Sequence, residues 1–98
     1  MTIKKTKDGA KLTIALEGKL DTKSAPELEA IIREETGDVN DLRLEMDGVQ
    51  YISSAGLRVL LSAEKMMRKK GKILITGCND SILEIFDMTG FSDLLTIG

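Results

Sequence analysis

From residue 42 onward the chain switches regularly between two hydrophobic periods, and this alternation narrows the fold more than any single motif. "LRLEM" (42–46) alternates apolar and polar residues as a half-buried strand does, and "VQYI" (49–52) continues it. From Ala55 to about Lys70, Gly56, Val59, Leu60, Ala63, Met66 and Met67 recur at helical spacing, with Arg58, Ser62, Lys65 and Lys69 on the opposite face. "KILIT" (72–76) is apolar on successive positions and reads as a central strand buried on both faces. "DSILEIFDM" (80–88) returns to the helical period with Ile82, Ile85 and Phe86 inward, Asn79 as N-cap and Gly90 as stop. Strand–helix–strand–helix of this kind implies parallel crossovers.

The first half completes the order. Residues 2–7 form a weak strand, Asp8-Gly9 is a hairpin turn, and "KLTIALEG" alternates with Leu12, Ile14 and Leu16 on one face. These two strands pair antiparallel, at an edge of the sheet. "SAPELEAIIREETG" is a helix: Ser24 and Glu27 have capping-box spacing, Pro26 sits in the first turn, and Gly37 suits a left-handed stop. Ala25, Leu28, Ile31 and Ile32 give it an inward face. A last short helix or strand covers "FSDLLTI". The expected fold is therefore α/β in the order β-β-α-β-α-β-α, one domain over residues 1–98. Its sheet is mixed, with four to five strands and helices packed against it.

Composition removes several functions. The chain has no histidine, which excludes a Ser-His-Asp hydrolase and any imidazole ligand. With a single cysteine besides, a zinc site of ordinary type is not expected, nor any internal disulfide. Cys78 follows an apolar strand with no basic neighbour, so it reads as a small buried or half-buried residue and not a reactive thiol. A net charge of -2 from mixed acids and bases gives no attraction to nucleic acid or an anionic membrane. One Tyr and two Phe are too few for a base-stacking platform. The polar start "MTIKKTKDGAKL" lacks a signal-peptide core, and no run has membrane-spanning length, so a cytoplasmic protein without membrane insertion is expected.

The informative stretch is "YISSAGLRVLL" (51–61), where two serines stand between an apolar strand and an apolar helix. Either serine can serve as a helix N-cap and nothing more. Three features point beyond capping. Neither Ser53 nor Ser54 has Glu or Gln three residues on, since Gly56 and Leu57 occupy those places. Ala55 and Gly56 keep the surroundings of the hydroxyl small. The position is also the carboxyl end of a strand, where ligands usually meet α/β sheets. Without a histidine base the hydroxyl is better read as acceptor of another enzyme's chemistry than as a nucleophile, so no catalytic residue is assigned. Leu57 and Leu61 lie beside the buried stripe, either packed under a neighbouring element or exposed to await a partner.

The chain resembles the STAS-domain family, and within it the small stand-alone anti-sigma factor antagonists. The resemblance is carried by "LEGKLDTKSAPEL", "YISSAGLRVLL" and "FDMTGF" and covers nearly the whole chain. In that family the phosphorylated residue lies two places before the Gly-Leu pair that opens the helix, which here implies Ser54. The family often has Asp immediately before it; here Ser53 stands there and is a second candidate acceptor. The Asp of the family's "LD" turn matches Asp21, which the resemblance places near the acceptor and in contact with the partner. The implied partner-binding set is Asp21, Ser53, Ala55, Gly56, Leu57, Arg58 and Leu61.

The function so implied is partner switching, without a cofactor, a metal or enzymatic activity of the chain's own. The unphosphorylated protein binds an anti-sigma factor that is also a GHKL-type serine kinase, and sigma factor is released. Phosphorylation ends the binding and a metal-dependent serine phosphatase restores it. The alternative is a constitutive STAS subunit or scaffold of a larger assembly, such as a lipid-transport ABC complex, with Ser54 never modified.

Overall fold

The computed structural model describes residues 1–98, in the order expected. Strand β1 (Thr2–Asp8) turns at Gly9 into β2 (Lys11–Leu20), and the two pair antiparallel. Helix α1 (Ala25–Glu35) leads to β3 (Asp41–Ile52), helix α2 (Ser54–Arg68) to β4 (Lys72–Thr76), and helix α3 (Asp80–Thr89) follows. A 3-10 turn over Phe91–Asp93 precedes the C-terminal residues. The sheet has four strands in the order β1-β2-β3-β4, with β2, β3 and β4 parallel.

Parallel strands laid down in sequence order, without reversal, send each right-handed crossover over the same face. The burial pattern agrees. Leu12, Ile14, Leu16, Leu42, Leu44, Met46, Ile73 and Ile75 are all buried, whereas Thr13, Ala15, Arg43, Glu45, Leu74 and Thr76 on the other face are only half-buried. The parallel register places Leu12 beside Leu42 beside Ile73, and Ile14 beside Leu44 beside Ile75. Onto these apolar rows the helices deliver Leu28, Ile32, Val59, Leu60, Met67, Ile82 and Phe86. Each such side chain, fully buried, contributes about 1.5–3 kcal/mol against the entropy of ordering the chain. No helix is long and apolar enough to cross a membrane.

Four local expectations are corrected. Strand β4 is an edge strand, not a central one, so Leu74 is half-buried while Ile73 and Ile75 face the core. Its outer edge is only briefly capped: the Ile75 amide donates to Thr96 O and the Gly98 amide to Ile75 O, both at 2.9 Å. That single bridge at Ile97 is all there is of a fifth strand. Ser24 precedes α1 but makes no capping bond; its hydroxyl turns back to Lys19 O at 2.7 Å. Helix α1 ends on Thr36, not on a left-handed glycine, and the Thr36 hydroxyl donates to Ile32 O at 2.5 Å. Met66 is half-buried, leaving Met67 as the fully buried methionine of α2.

Other ends are as the sequence predicts. Asn79 Oδ1 accepts from the Ile82 amide at 2.9 Å, and Gly90 stops α3 with φ of 79°. Cys78 is half-buried, and burial, with the Asp47 carboxylate alongside, pushes its thiol up to about 11. At neutral pH it is a protonated, unreactive packing residue.

Candidate functional site

Strands β2 and β3 run side by side to the same end of the sheet, with Leu20 opposite Ile52. The residues that follow them, Asp21 and Ser53, therefore emerge as neighbours. One backbone bond ties the two exits together, from the Ser53 amide to Leu20 O at 2.9 Å. The β2–β3 register shifts twice shortly before this point, and each extra residue on β3 bends the strand toward its exit.

The two serines take different roles. Ser53 has extended backbone (φ -98°, ψ 175°), and its side chain accepts from the Gly56 amide at 3.4 Å, a long N-cap bond. Its carbonyl accepts from the Leu57 amide at 3.0 Å. With the cap supplied by Ser53, Ser54 is the first helical residue, solvent-exposed, and its hydroxyl has no protein partner. Capping therefore explains one serine and leaves the other free.

Helix α2 sits on the sheet at this end because residue 56 has no side chain. A Cβ there would lie 2.8 Å from Leu20 Cγ, 2.9 Å from Ile52 Cγ1 and 2.9 Å from the backbone oxygen of Leu20. Gly56→Ala must push the first turn of α2 away from β2. The expected cost is about 1–3 kcal/mol, read as a fall of the denaturant midpoint at unchanged m-value. The displaced Ser54 also loses its position relative to Asp21.

Asp21 organises the turn after β2. Its Oδ1 accepts from the amides of Lys23 at 3.0 Å and Ser24 at 3.1 Å, while the Ser24 hydroxyl accepts from the Asp21 amide at 2.9 Å. The hydrogen bond from the Ser24 amide, seconded by that from Lys23, holds the Asp21 carboxyl below its ordinary range. A depressed folded-state value means that the turn's carboxylate contacts persist above the ordinary carboxylate range and are lost as pH falls through the folded value. Oδ2 has no protein partner and is free to meet another molecule.

The remaining residues of the expected set divide by exposure. Ser54, Arg58 and Leu61 fall at i, i+4 and i+7 on one side of α2, the first two exposed and Leu61 half-buried. Ala55 is half-buried at the mouth of a groove between α1 and α2. Gly56 and Leu57 are buried, Leu57 at 7% exposure, so they position the surface without presenting side chains to it. Two further residues come into view. Tyr51 is 50% exposed directly before Ile52, and a partly exposed aromatic beside a junction is the kind of anchor interfaces favour. Strand alternation does not single it out, because the register slips at Gln50 and both residues turn outward. Glu64 on α2 is fully buried, its Oε1 accepting from the Thr96 hydroxyl at 2.7 Å. Together with Arg68, which donates to Leu94 O at 2.8 Å, it fastens the C-terminal residues to α2.

This is a small mixed-sheet α/β domain whose distinctive surface feature is an exposed hydroxyl at a helix start, at the sheet end that also carries the Asp21 turn. A STAS-domain profile matches residues 2–98, and the chain belongs to that family. It is 30% identical over 95 residues to the anti-sigma-B factor antagonist of Listeria monocytogenes, covering 95% of this chain and 83% of that protein. Among solved structures, an anti-sigma factor antagonist from Mycobacterium paratuberculosis superposes with a TM-score of 0.86 at 18% identity, covering 98% of this chain and 83% of that one. The Bacillus cell fate determinant SpoIIAA in its phosphorylated form gives 0.78 at 15% identity, covering 99% of this chain and 91% of that one. At such identities the two structures establish the shared fold.

Proposed function

We propose that the chain is an anti-sigma factor antagonist that works by partner switching, with Ser54 as its phosphoacceptor. The observation that carries the reading is the division of labour at the junction: Ser53 caps α2 and leaves the Ser54 hydroxyl exposed and unpartnered. The names of the relatives, anti-sigma-B factor antagonists, support the same reading. Unmodified, the Asp21 turn and the exposed side of α2 dock a GHKL-type serine kinase that doubles as anti-sigma factor, and sigma factor is set free. The kinase then transfers the γ-phosphoryl group of ATP. A P–O bond forms at Ser54 Oγ, the bond to ADP breaks, and the hydroxyl proton passes to a base of the kinase. A metal-dependent serine phosphatase returns the serine by hydrolysis, releasing inorganic phosphate.

The energetics suit a switch. A phosphate brings about -1.5 to -2 charges at neutral pH. Leaving such a charge unpaired in a packed contact typically costs about 2–5 kcal/mol, which weakens binding by roughly 30-fold to several thousand-fold. The scaffold has no comparable objection. The amides of Ser54 and Ala55 have no backbone acceptor, and negative charge at a helix start is favourable.

Labelling with the cognate kinase and ATP tests the assignment. Wild type and Ser53→Ala should take up phosphate, although loss of the cap costs Ser53→Ala about 1 kcal/mol of stability. Ser54→Ala should remain unlabelled. Labelling of Ser54→Ala at the wild-type level moves the acceptor elsewhere and defeats the reading.

A further inference from the structure

We propose that Arg58 is the intramolecular partner of a phosphate on Ser54, so that modification both adds a dianion to the docking surface and withdraws its free arginine. The inference rests on the reading of Ser54 as phosphoacceptor and adds to it a second, internal half of the switch.

The chain already pairs an acid with an arginine at one helical spacing. Glu29 and Arg33 on α1 form an ion pair at i, i+4, and so do Glu64 and Arg68 on α2, where the nitrogen–oxygen distance is 3.9 Å. In both, the acid is N-terminal to the arginine, the order in which the side chains lean toward each other and agree with the helix dipole. Ser54 and Arg58 repeat that spacing a third time, with a hydroxyl where the acid would be. Arg58 is exposed and has neither a carboxylate nor a hydrogen-bond acceptor within the protein, unlike Arg33 and Arg68. The α1–α2 groove that it borders contains one carboxylate, Glu29, and Arg33 already engages it. A long side chain on a helix covers the turn N-terminal to its own Cα, which for Arg58 is the turn that begins with Ser54.

Phosphorylation supplies what the third pair lacks. The guanidinium matches phosphate oxygens in a two-bond fork and stays charged throughout the accessible pH range. In the unmodified protein the same guanidinium is free for an acidic group of the partner. Once Ser54 carries phosphate, the partner meets a negative charge and also loses the cation it had paired with. Arg58 therefore belongs to the docking surface in one state and to the phosphoserine in the other.

The test uses the full chain with phosphoserine genetically encoded at position 54, so that no kinase is needed. The second ionisation of the phosphate, near 6 in an unstructured peptide, is followed by 31P NMR titration. A cation beside the phosphate favours the dianion, so wild type should titrate about 0.3–1 unit lower than Arg58→Ala. Arg58→Lys, which keeps the charge and loses the fork, should fall between them, and the differences should shrink in about 1 M salt. Arg58 is exposed and alanine is a good helix former, so the variant keeps its fold. Equal titration of all three proteins overturns the proposal. The phosphoprotein binding the kinase as tightly as the unmodified chain would instead overturn partner switching, and the titration result would stand apart from it.

Discussion

Ser54→Asp is expected to lose binding to the partner kinase by about 100-fold or more while its thermal midpoint stays within a few degrees of wild type. The two halves of this result have separate causes. Residue 54 is the first of α2, exposed, and next to amides with no backbone acceptor. A carboxylate there interacts favourably with the helix dipole, by about 0.3–1 kcal/mol, so the fold has no reason to weaken. The partner, by contrast, must cover the residue or approach it closely, so it meets an added negative charge and loses the guanidinium of Arg58, which that charge draws to itself. Aspartate carries less charge than phosphate, so the effect should be smaller than that of true phosphorylation. Isothermal titration against the kinase and a melting curve on the same sample decide the matter. A constitutive subunit that never switches should bind equally well with Asp at this position. A melted protein would show that the helix start cannot hold the charge, and the switch could not operate as described.

Much of this was legible in the sequence because it is written in local patterns. Period-2 and period-3.6 stretches give the element order, and the caps at Asn79 and Gly90 mark α3 correctly because each involves residues within a few positions. The junction at residues 53–56 was legible as a strand-to-helix boundary for the same reason, but its small residues read only as room around a hydroxyl, since the close approach of Gly56 to Leu20 joins positions thirty-six apart. What escaped depends on residues far apart in the chain. "KILIT" has the composition of a central strand, yet its place at the edge follows from the absence of a strand beyond it. Ser24 and Glu27 fit the capping-box spacing, but Asp21 reaches the Ser24 amide first and Lys19 O takes the serine proton. Glu64 looks like a surface acid until Thr96, thirty-two positions later, folds over it. Tyr51 is turned outward by a register slip that no periodicity records.

At the opposite end of α2, Gly71→Ala should be strongly destabilising for so small a substitution and should leave the docking surface intact. A Cβ at residue 71 would lie 2.0 Å from the backbone oxygen of Asn40, 2.6 Å from its carbonyl carbon and 2.8 Å from its Cα. No rotamer change can relieve a clash with backbone on three atoms. The turn after α2 must move away from the turn before β3, and the bonds that hold them together go with it. Asn40 O accepts from the Lys72 amide at 2.9 Å, and Lys70 Nζ donates to Thr36 O. The first rung between β3 and β4, Asp41 opposite Lys72, starts at this contact and sets the register of Ile73 and Ile75. Overpacking of this kind costs about 1–3 kcal/mol and the lost hydrogen bond about 1 more, against a gain of about 0.4–1 from the stiffer unfolded chain. For a domain of this size the net loss corresponds to a melting point lower by roughly 10–20 °C. Residue 71 has no positive φ, so the penalty is steric and not conformational. The fraction that remains folded should bind the kinase with wild-type affinity, because Ser54 and Asp21 lie at the other end of the sheet. Ser54→Asp and Gly71→Ala thus separate docking from folding in opposite directions. A Gly71→Ala protein that melts with wild type would mean that the two turns are not in backbone contact, and one that is stable but fails to bind would mean that the two ends of α2 are coupled.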